Sequence, residues 1–308
     1  MKTGSIKIDN SQTDLSIIVV NWNVAELLEK CIDSVLENSD DFSFDMVVID
    51  NASEEPGFKK VEKKFSNIKN ITWIENDHNI GCLADNQALS FCKGKYLLLL
   101  GPDVMVFPGA LKKMLSFLQE NQKAGGVTAK LLNPDMSPQN YYFNIWSLSM
   151  CFFSTGIGKL IDRLFVGGRF ERRYFGESVD STKLTMVDQV PGACFMLRRE
   201  ALNEAYLVDE DFPFFFNDAD LCKRIYENGF NIYVLPQAEV IHDQSASYKN
   251  ANPRWRDIEF RKGAVLYFKK YHIWKVPILK MIFLLESVTR FLFYTILERG
   301  GLKKKKNG

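Results

Sequence analysis

The sequence predicts an α/β fold: a mixed, mainly parallel sheet flanked by helices, with a helical extension at the C-terminus. LSIIVVNWN from Leu15, FDMVVIDNAS from Phe44 and YLLLLGPD from Tyr96 are short apolar runs that end in polar residues. Strands buried on both faces of a parallel sheet have this pattern. Between them lie segments with apolar residues at helical spacing, the alternation from which right-handed βαβ crossovers are built. The third observation is chemical: Asn21, Asn23, Asp50 and Asp103 all fall where these runs end, and ligands of such sheets bind beyond the carboxyl ends of strands.

In chain order, Val24 to Asn38 reads as a helix after the first strand, and Gly57 to Phe65 as a helix leading into ITWIEN. LADNQALSFCKG reads as a further helix closed by Gly94. After Val127 the alternation weakens. Residues Asn133 to Val187 mix Pro, Gly and aromatics with a basic cluster at Arg169, Arg172 and Arg173, as expected of an insertion or lid over a site. QVPGACFMLRREAL returns to strand and then helix. NDADLCKRIYENGF reads as a helix with acids in its first turn and Gly229 at its end, NIYVLP as a short strand, and AEVIH as strand-like. The expected organisation is a polar tail over 1–13, a main domain over 14–250 with its lid at 133–187, and a helical segment over 251–308.

A chain of 308 residues, 46% hydrophobic and 25% charged, can bury a substantial core and is globular in composition. Its formal net charge of +1 gives no whole-molecule footprint for nucleic acid. The six cysteines are scattered and form no C-x-x-C pair, which suggests a reducing, cytoplasmic setting. MKTGSIKIDNSQTD lacks the apolar stretch of a signal peptide. Lys280, Glu286 and Arg290 interrupt the most hydrophobic region, so no transmembrane helix is expected. From Pro277 to Leu297 the polar residues, Ser287 among them, fall mostly on one side of a helix. Such a helix suits peripheral contact with a bilayer interface, with Trp274 and Tyr294 near the headgroups and Lys303 to Lys306 attracted to anionic lipid. A helix packed on the domain and a dimerisation helix are the alternatives.

The strand-end acids suggest a divalent cation, since hard cations prefer oxygen ligands and could neutralise a diphosphate. Asp103 is the metal candidate, and His242 could complete a site suited to manganese. Asp218 and Asp220 follow the aromatic run FPFFF. A carboxyl beside aromatic surface is partly desolvated and becomes a better base, so one of the two is a catalytic candidate. Each residue also has a structural alternative. Asp218 and Asp220 could cap a helix, Asp50 could form an Asx-turn in DNAS, Gly81 and Asn79 could serve a turn, Trp22 could be core, and His242 could be a satisfied structural residue.

Taken in order, VVNWN, VVIDNAS, NIGCLADN, LLLLGPDV, VDQVPGACFMLRREAL and FFFNDADLCKRIYENGFNIYVLPQAEVIH resemble the family-2 glycosyltransferases of GT-A fold, especially their rhamnosyltransferase-like branch. The resemblance spans about Leu15 to Ser247. It implies inverting, metal-dependent transfer of a sugar, rhamnose being the family-level choice, from a UDP- or dTDP-linked donor to a hydroxyl of a glycan or lipid-linked acceptor. It places Asn21, Trp22 and Asn23 against the nucleotide and gives Asp50 the imide N–H of uracil or thymine. Asn79, Gly81, Asn86, Pro102, Asp103, Gly192 and Ala193 complete the donor side. Asp103 and His242 would hold Mn2+ or Mg2+, Asp218 would act as general base, and Asn217 and Asp220 would support it. The region 133–187 would face the acceptor, the enzyme would sit on the cytoplasmic face of a membrane, and a homodimer is open.

Two departures stand out. Gly101, Pro102, Asp103 replaces the family's N-P-D, and Asn217 stands where the family has Glu. They leave room for a non-catalytic binding subunit of a membrane-associated complex. A nucleotidyltransferase or a nicotinamide dehydrogenase would need glycines after the first strand, and VVNWNVAELLEK contains none.

Overall fold

The computed structural model describes residues 13–39, 41–139, 144–174, 180, 182–202, 205–243 and 252–299. The chain begins with β1 (Leu15–Asn21), α1 (Ala25–Leu36), β2 (Phe44–Asp50), α2 (Gly57–Lys64) and β3 (Ile71–Glu75). There follow α3 (Ala84–Ala88), β4 (Tyr96–Leu100), β5 (Val104–Val106), α4 (Ala110–Glu120) and β6 (Ala124–Leu132). Next come α5 (Leu148–Phe153), α6 (Gly156–Ile161), α7 (Arg169–Tyr174) and β7 (Thr185–Met186). The remainder is β8 (Cys194–Arg198), α8 (Asn217–Glu227), β9 (Asn231–His242), α9 (Pro253–Tyr271) and α10 (Val276–Arg299).

One sheet runs in the order β3-β2-β1-β4-β8-β6-β9-β5, with β7 on β9. Strands β3, β2, β1 and β4 are parallel, and β8 is antiparallel to both of its neighbours. The mixed α/β class expected from the apolar runs is the one observed. Leu15, Ile17, Val19, Met46 and Val48 face α1, α2 and α4 in one core, while Ile18, Val47, Ile49 and Leu97 face α3 and α8 in another. Alternate residues of one strand therefore serve two cores, the reason these strands read as continuous apolar runs.

A third, aromatic core joins the C-terminal helices to the rest. Trp146 ahead of α5, Phe212 and Phe216 ahead of α8, Tyr267 and Phe268 of α9, and Leu279 of α10 pack together. The ring of Phe216 lies 4.7 Å from Trp146, 5.3 Å from Phe260 and 5.5 Å from Tyr267.

The structure corrects several local expectations. The helix expected to run to Gly94 ends at Ala88 after a 3-10 turn over Gly81–Leu83. Residues 93 and 94 are drawn to the sheet instead: Lys93 N–H donates to Asp45 and Gly94 N–H to Ser16 Oγ. Gly94 is needed for close approach, since a Cβ there would lie 2.4 Å from Ser16 N. The helix expected after β8 is a single 3-10 turn, Arg199–Ala201, whose last carbonyl is taken by Asn228. NIYVLP and AEVIH form one strand, β9, with a register shift against β6 at Ala129/Lys130. Pro236 lies at that shift, where a missing ladder donor does least harm.

The segment over 144–174 is helical, with a π-turn over Asp162–Val166 that begins at the fully buried Asp162. The Arg173 side chain lies outside the described residues. In α10 the polar side is not uniformly outward. Glu286 is buried, accepts the Gly156 N–H at the start of α6, and accepts from Arg290 Nε at 2.7 Å. That inward turn leaves Met281, Leu284, Leu285, Val288, Phe291 and Leu292 exposed. The Tyr294 side chain and Lys303 to Lys306 lie outside the described residues. Among the described residues no helix is long and apolar enough to cross a membrane.

Candidate functional site

The parallel register sets Asn21 beside Asp50 at the carboxyl ends of β1 and β2. Asn21 Nδ2 donates to Asp50 Oδ1 at 2.8 Å, and Ser53 gives its hydroxyl to the same oxygen and its N–H to Oδ2. The turn is therefore the Asx type that DNAS suggested. A carboxylate oxygen that accepts one N–H, as Oδ2 does, retains capacity for another donor. Asn21 Oδ1 is buried and has no hydrogen-bond partner among the described residues, and an acceptor left so is desolvated without compensation.

Asn23 adopts a positive φ of 56° and accepts from Glu54 N–H at 2.7 Å, bracing the β1 and β2 turns against each other. Trp22 beside it is half-buried. Asn51, which sequence reasoning passed over inside DNAS, is the hub of the next loop. It donates to Asn79 Oδ1 and the Gly81 carbonyl and accepts from Asn76 Nδ2 and Ile80 N–H. Gly81 holds φ +64°, and a Cβ there would lie 2.2 Å from Pro213 O. Asn86 spends its amide on the backbone of 207 and 208, accepting from both N–H groups and donating to Val208 O. Asn86 and the close approach at Gly81 thus fasten the α3 loop to the segment leading into α8, while Asn79 ties the loop to Asn51.

Asp103 follows β4, and the antiparallel pairing of Val104 with His242 brings the two side chains together. Asp103 Oδ1 and His242 Nε2 are 3.7 Å apart. Burial is the main reason that Asp103 is pushed up to about 6. Burial likewise lowers His242 to about 4, so its imidazole is neutral at pH 7. Gln139 fixes the tautomer: its Nε2 donates to the His242 carbonyl and to Asn133, leaving Oε1 to accept from His242 Nδ1 at 3.0 Å. The Nε2 lone pair therefore faces a carboxylate, two acceptors that a cation between them would satisfy. Among the described residues no cluster of three or more His, Cys, Asp or Glu is present. A metal here would have these two protein ligands and take the rest from phosphate and water. Gly101 makes room for the carboxylate, since a Cβ on it would lie 2.8 Å from Asp103 Oδ1.

Asp218 lies in the first turn of α8, and its helix starts from a strained residue. Phe216 has φ +68°, a conformation costly for a bulky side chain, on the order of 1–3 kcal/mol, and the aromatic core holds it there. Burial pushes Asp218 up to about 6, opposed by the N–H of Gly192. A Cβ on Gly192 would sit 3.0 Å from Asp218 Oδ1. Asn217 Nδ2 lies 3.4 Å from the same oxygen. Gly101 N–H donates to Ala193 O at 2.7 Å. The backbone of 192 and 193 thus bridges the Pro102–Asp103 turn and Asp218, bringing the two halves of the expected site to one edge.

Two carboxyls differ from expectation. Asp85 was not singled out, yet burial first and the Asp218 charge second push it up to about 7. The signal available in sequence was an acid at the start of a helix in NIGCLADN. Asp220, by contrast, is fully buried in a cationic network with Arg224 and Lys270.

The Glycosyl transferase family 2 profile matches residues 16–205. An uncharacterised protein of Sinorhizobium fredii is 26% identical over 266 residues, covering 83% of this chain and 27% of the relative. An O-antigen biosynthesis protein of Myxococcus xanthus is 28% identical over 243 residues, 76% of this chain and 17% of the relative. An N-acetylglucosaminyl-diphospho-decaprenol L-rhamnosyltransferase of Mycobacterium tuberculosis is 22% identical over 185 residues, 59% of this chain and 58% of the relative. The chain therefore spans less than two thirds of the length of these relatives.

The crystal structure of GalNAc-T7 with UDP, GalNAc and Mn2+ superposes with a TM-score of 0.61 at 15% identity, over 85% of this chain and 48% of that one. The S. aureus TarS 1–349 complex with UDP gives 0.53 at 19% identity, over 95% and 76%. These likenesses establish the GT-A fold, and with the profile match over more than half of its length the chain belongs to glycosyl transferase family 2.

Proposed function

We propose that this chain transfers a sugar from a nucleotide-sugar donor, UDP- or dTDP-linked, to a hydroxyl of a glycan or lipid-linked acceptor, with inversion. The observation that carries this is the bridge through 192 and 193, which couples a half-buried carboxyl near pH 6 to the Asp103–His242 pair. Asn21, Asp50 and the loop braced by Asn51 form the nucleotide end. A divalent cation, Mn2+ or Mg2+, bound by Asp103 and His242 would neutralise the departing diphosphate. Asp218 accepts the acceptor hydroxyl's proton as that oxygen bonds to the anomeric carbon, and the carbon–phosphate oxygen bond breaks with its electron pair on the nucleoside diphosphate. Gly192 N–H holds the carboxylate in line while its desolvation makes it the stronger base.

The test follows nucleoside diphosphate release from a panel of UDP- and dTDP-sugars. Chelation is expected to abolish release and Mn2+ or Mg2+ to restore it. Asp103→Ala should lower turnover by roughly 10^3-fold, in keeping with the several kcal/mol of charge stabilisation a metal supplies. Nucleotide binding with no release under any metal would favour the non-catalytic subunit.

The apolar side of α10 supports peripheral attachment at the cytoplasmic face of a membrane, with 251–308 as the attaching segment and 14–250 as the catalytic domain. Leu160, Leu164 and Phe165 of the lid and Ile273 and Trp274 before α10 are exposed as well, and a surface this apolar marks an interaction site. The chain is expected to co-sediment with anionic vesicles and to lose that binding in Leu284→Glu/Leu285→Glu. Equal recovery of both proteins in the supernatant would count against it, and dimerisation by light scattering would assign the face to a second copy.

A further inference from the structure

A cavity of about 590 Å³ lies between helices α5, α6 and α7 and the C-terminal helices α9 and α10, within the ~300–1,000 Å³ range of small-molecule sites. None of Asn21, Asp50, Asp103 and His242 lines it. We propose that this cavity is a saccharide subsite that holds a neutral, non-reacting sugar ring of the acceptor; the assignment to an acceptor rests on the transferase reading above.

The lining chemistry argues for this ligand class. Three acids, Asp188, Asp257 and Glu286, and three bases, Lys159, Arg261 and Arg290, share the walls. Arg261 Nε is 3.0 Å from Asp257, and Arg290 Nε is 2.7 Å from Glu286. Guanidinium groups already paired with carboxylates are poor sites for a free phosphate, and fixed charges are poor company for an acyl chain. A ring of hydroxyls suits them, because each hydroxyl both donates and accepts. The apolar faces a sugar also needs come from Phe260 and from the stacked pair Phe153 and Phe170, 4.1 Å apart at 10°.

Position supports the acceptor assignment. Asp188 accepts the N–H of Ile145 and belongs to the segment whose Gly192 holds Asp218. Trp146, between the lining residues Ile145 and Ser147, packs on Phe216 at 4.7 Å, directly before Asn217 and Asp218. Asp188 and Trp146 thus connect the walls of the cavity to the segments that carry Gly192 and Asp218. Asp218 does not line the cavity, so a ring bound here would belong to an acceptor of at least two sugar units, the reacting hydroxyl being on another ring.

The test is saturation-transfer NMR on the full chain with methyl and octyl glycosides of glucose, N-acetylglucosamine and rhamnose at millimolar concentration, alongside UDP titration. Wild type is expected to transfer saturation to the ring protons of at least one glycoside. Ser149→Trp, at an exposed lining position, should cut that signal at least tenfold and leave the UDP titration unchanged; Phe170→Ala should weaken it. No transfer across the panel, or equal transfer in Ser149→Trp, overturns the subsite. UDP binding without glycoside binding would sink this inference alone. Glycoside binding without UDP binding or donor turnover would sink the transferase reading and leave a sugar-binding cavity.

Discussion

Asp218→Asn is expected to lower kcat by roughly 10^2–10^4-fold, the range that a positioned general base contributes, while the affinity for nucleoside diphosphate stays within about twofold. Asn keeps the shape and the Gly192 contact but cannot take a proton. The pH profile gives the independent check. Asp218 is pushed up to about 6, so the active form is its carboxylate and wild-type kcat/KM should fall tenfold per unit as pH drops below about 6. Above that value the rate should level off. The Asn variant should lose the Asp218 share of that limb and keep the share set by Asp103, which is also pushed up to about 6 and must be ionised to hold the cation. A variant that turns over normally would move the base elsewhere, and Asp85, which burial and the Asp218 charge push up to about 7, would be the next candidate.

The sequence carried the fold because its strands serve two cores, which makes Ile17, Ile18 and Val19 all apolar, a pattern readable without coordinates. Strand-end polarity likewise marked Asn21, Asp50 and Asp103. What could not be read was where side-chain amides go. Asn51, Asn79 and Asn86 look alike in sequence, yet each binds backbone or side chains 25 or more residues away. The Gln139 contact that orients His242 spans 103 residues. Local pattern holds no record of such partners. The helix beyond Ala88 failed for the same reason, since Asp45 and Ser16 compete for the N–H groups at 93 and 94.

The neighbouring acid in N-D-A-D should behave in the opposite way. Asp220 has no exposure; its Oδ2 accepts from Arg224 Nε at 2.7 Å, and its Oδ1 from Lys270 Nζ and the Tyr271 hydroxyl, each at 2.6 Å. These bonds tie α8 to α9, and burial together with the Asp220 carboxylate pushes the Tyr271 hydroxyl up. Arg224 is itself buried. Asp220→Ala would leave its charge without that carboxylate, and breaking a buried pair from one side costs about 3–5 kcal/mol. For a chain of 308 residues that corresponds to a fall in Tm of roughly 5–8 °C. Asp220→Asn should cost less, because an amide oxygen still accepts from one of the three donors. Thermal and urea unfolding measure the loss, and turnover below the melting range measures what remains per folded molecule. Asp220→Ala should keep kcat within a few-fold there, whereas Asp218→Asn should keep Tm and lose kcat. An Asp220→Ala protein as stable as wild type but unable to turn over would place the chemistry on Asp220 and reverse the assignment of the two acids.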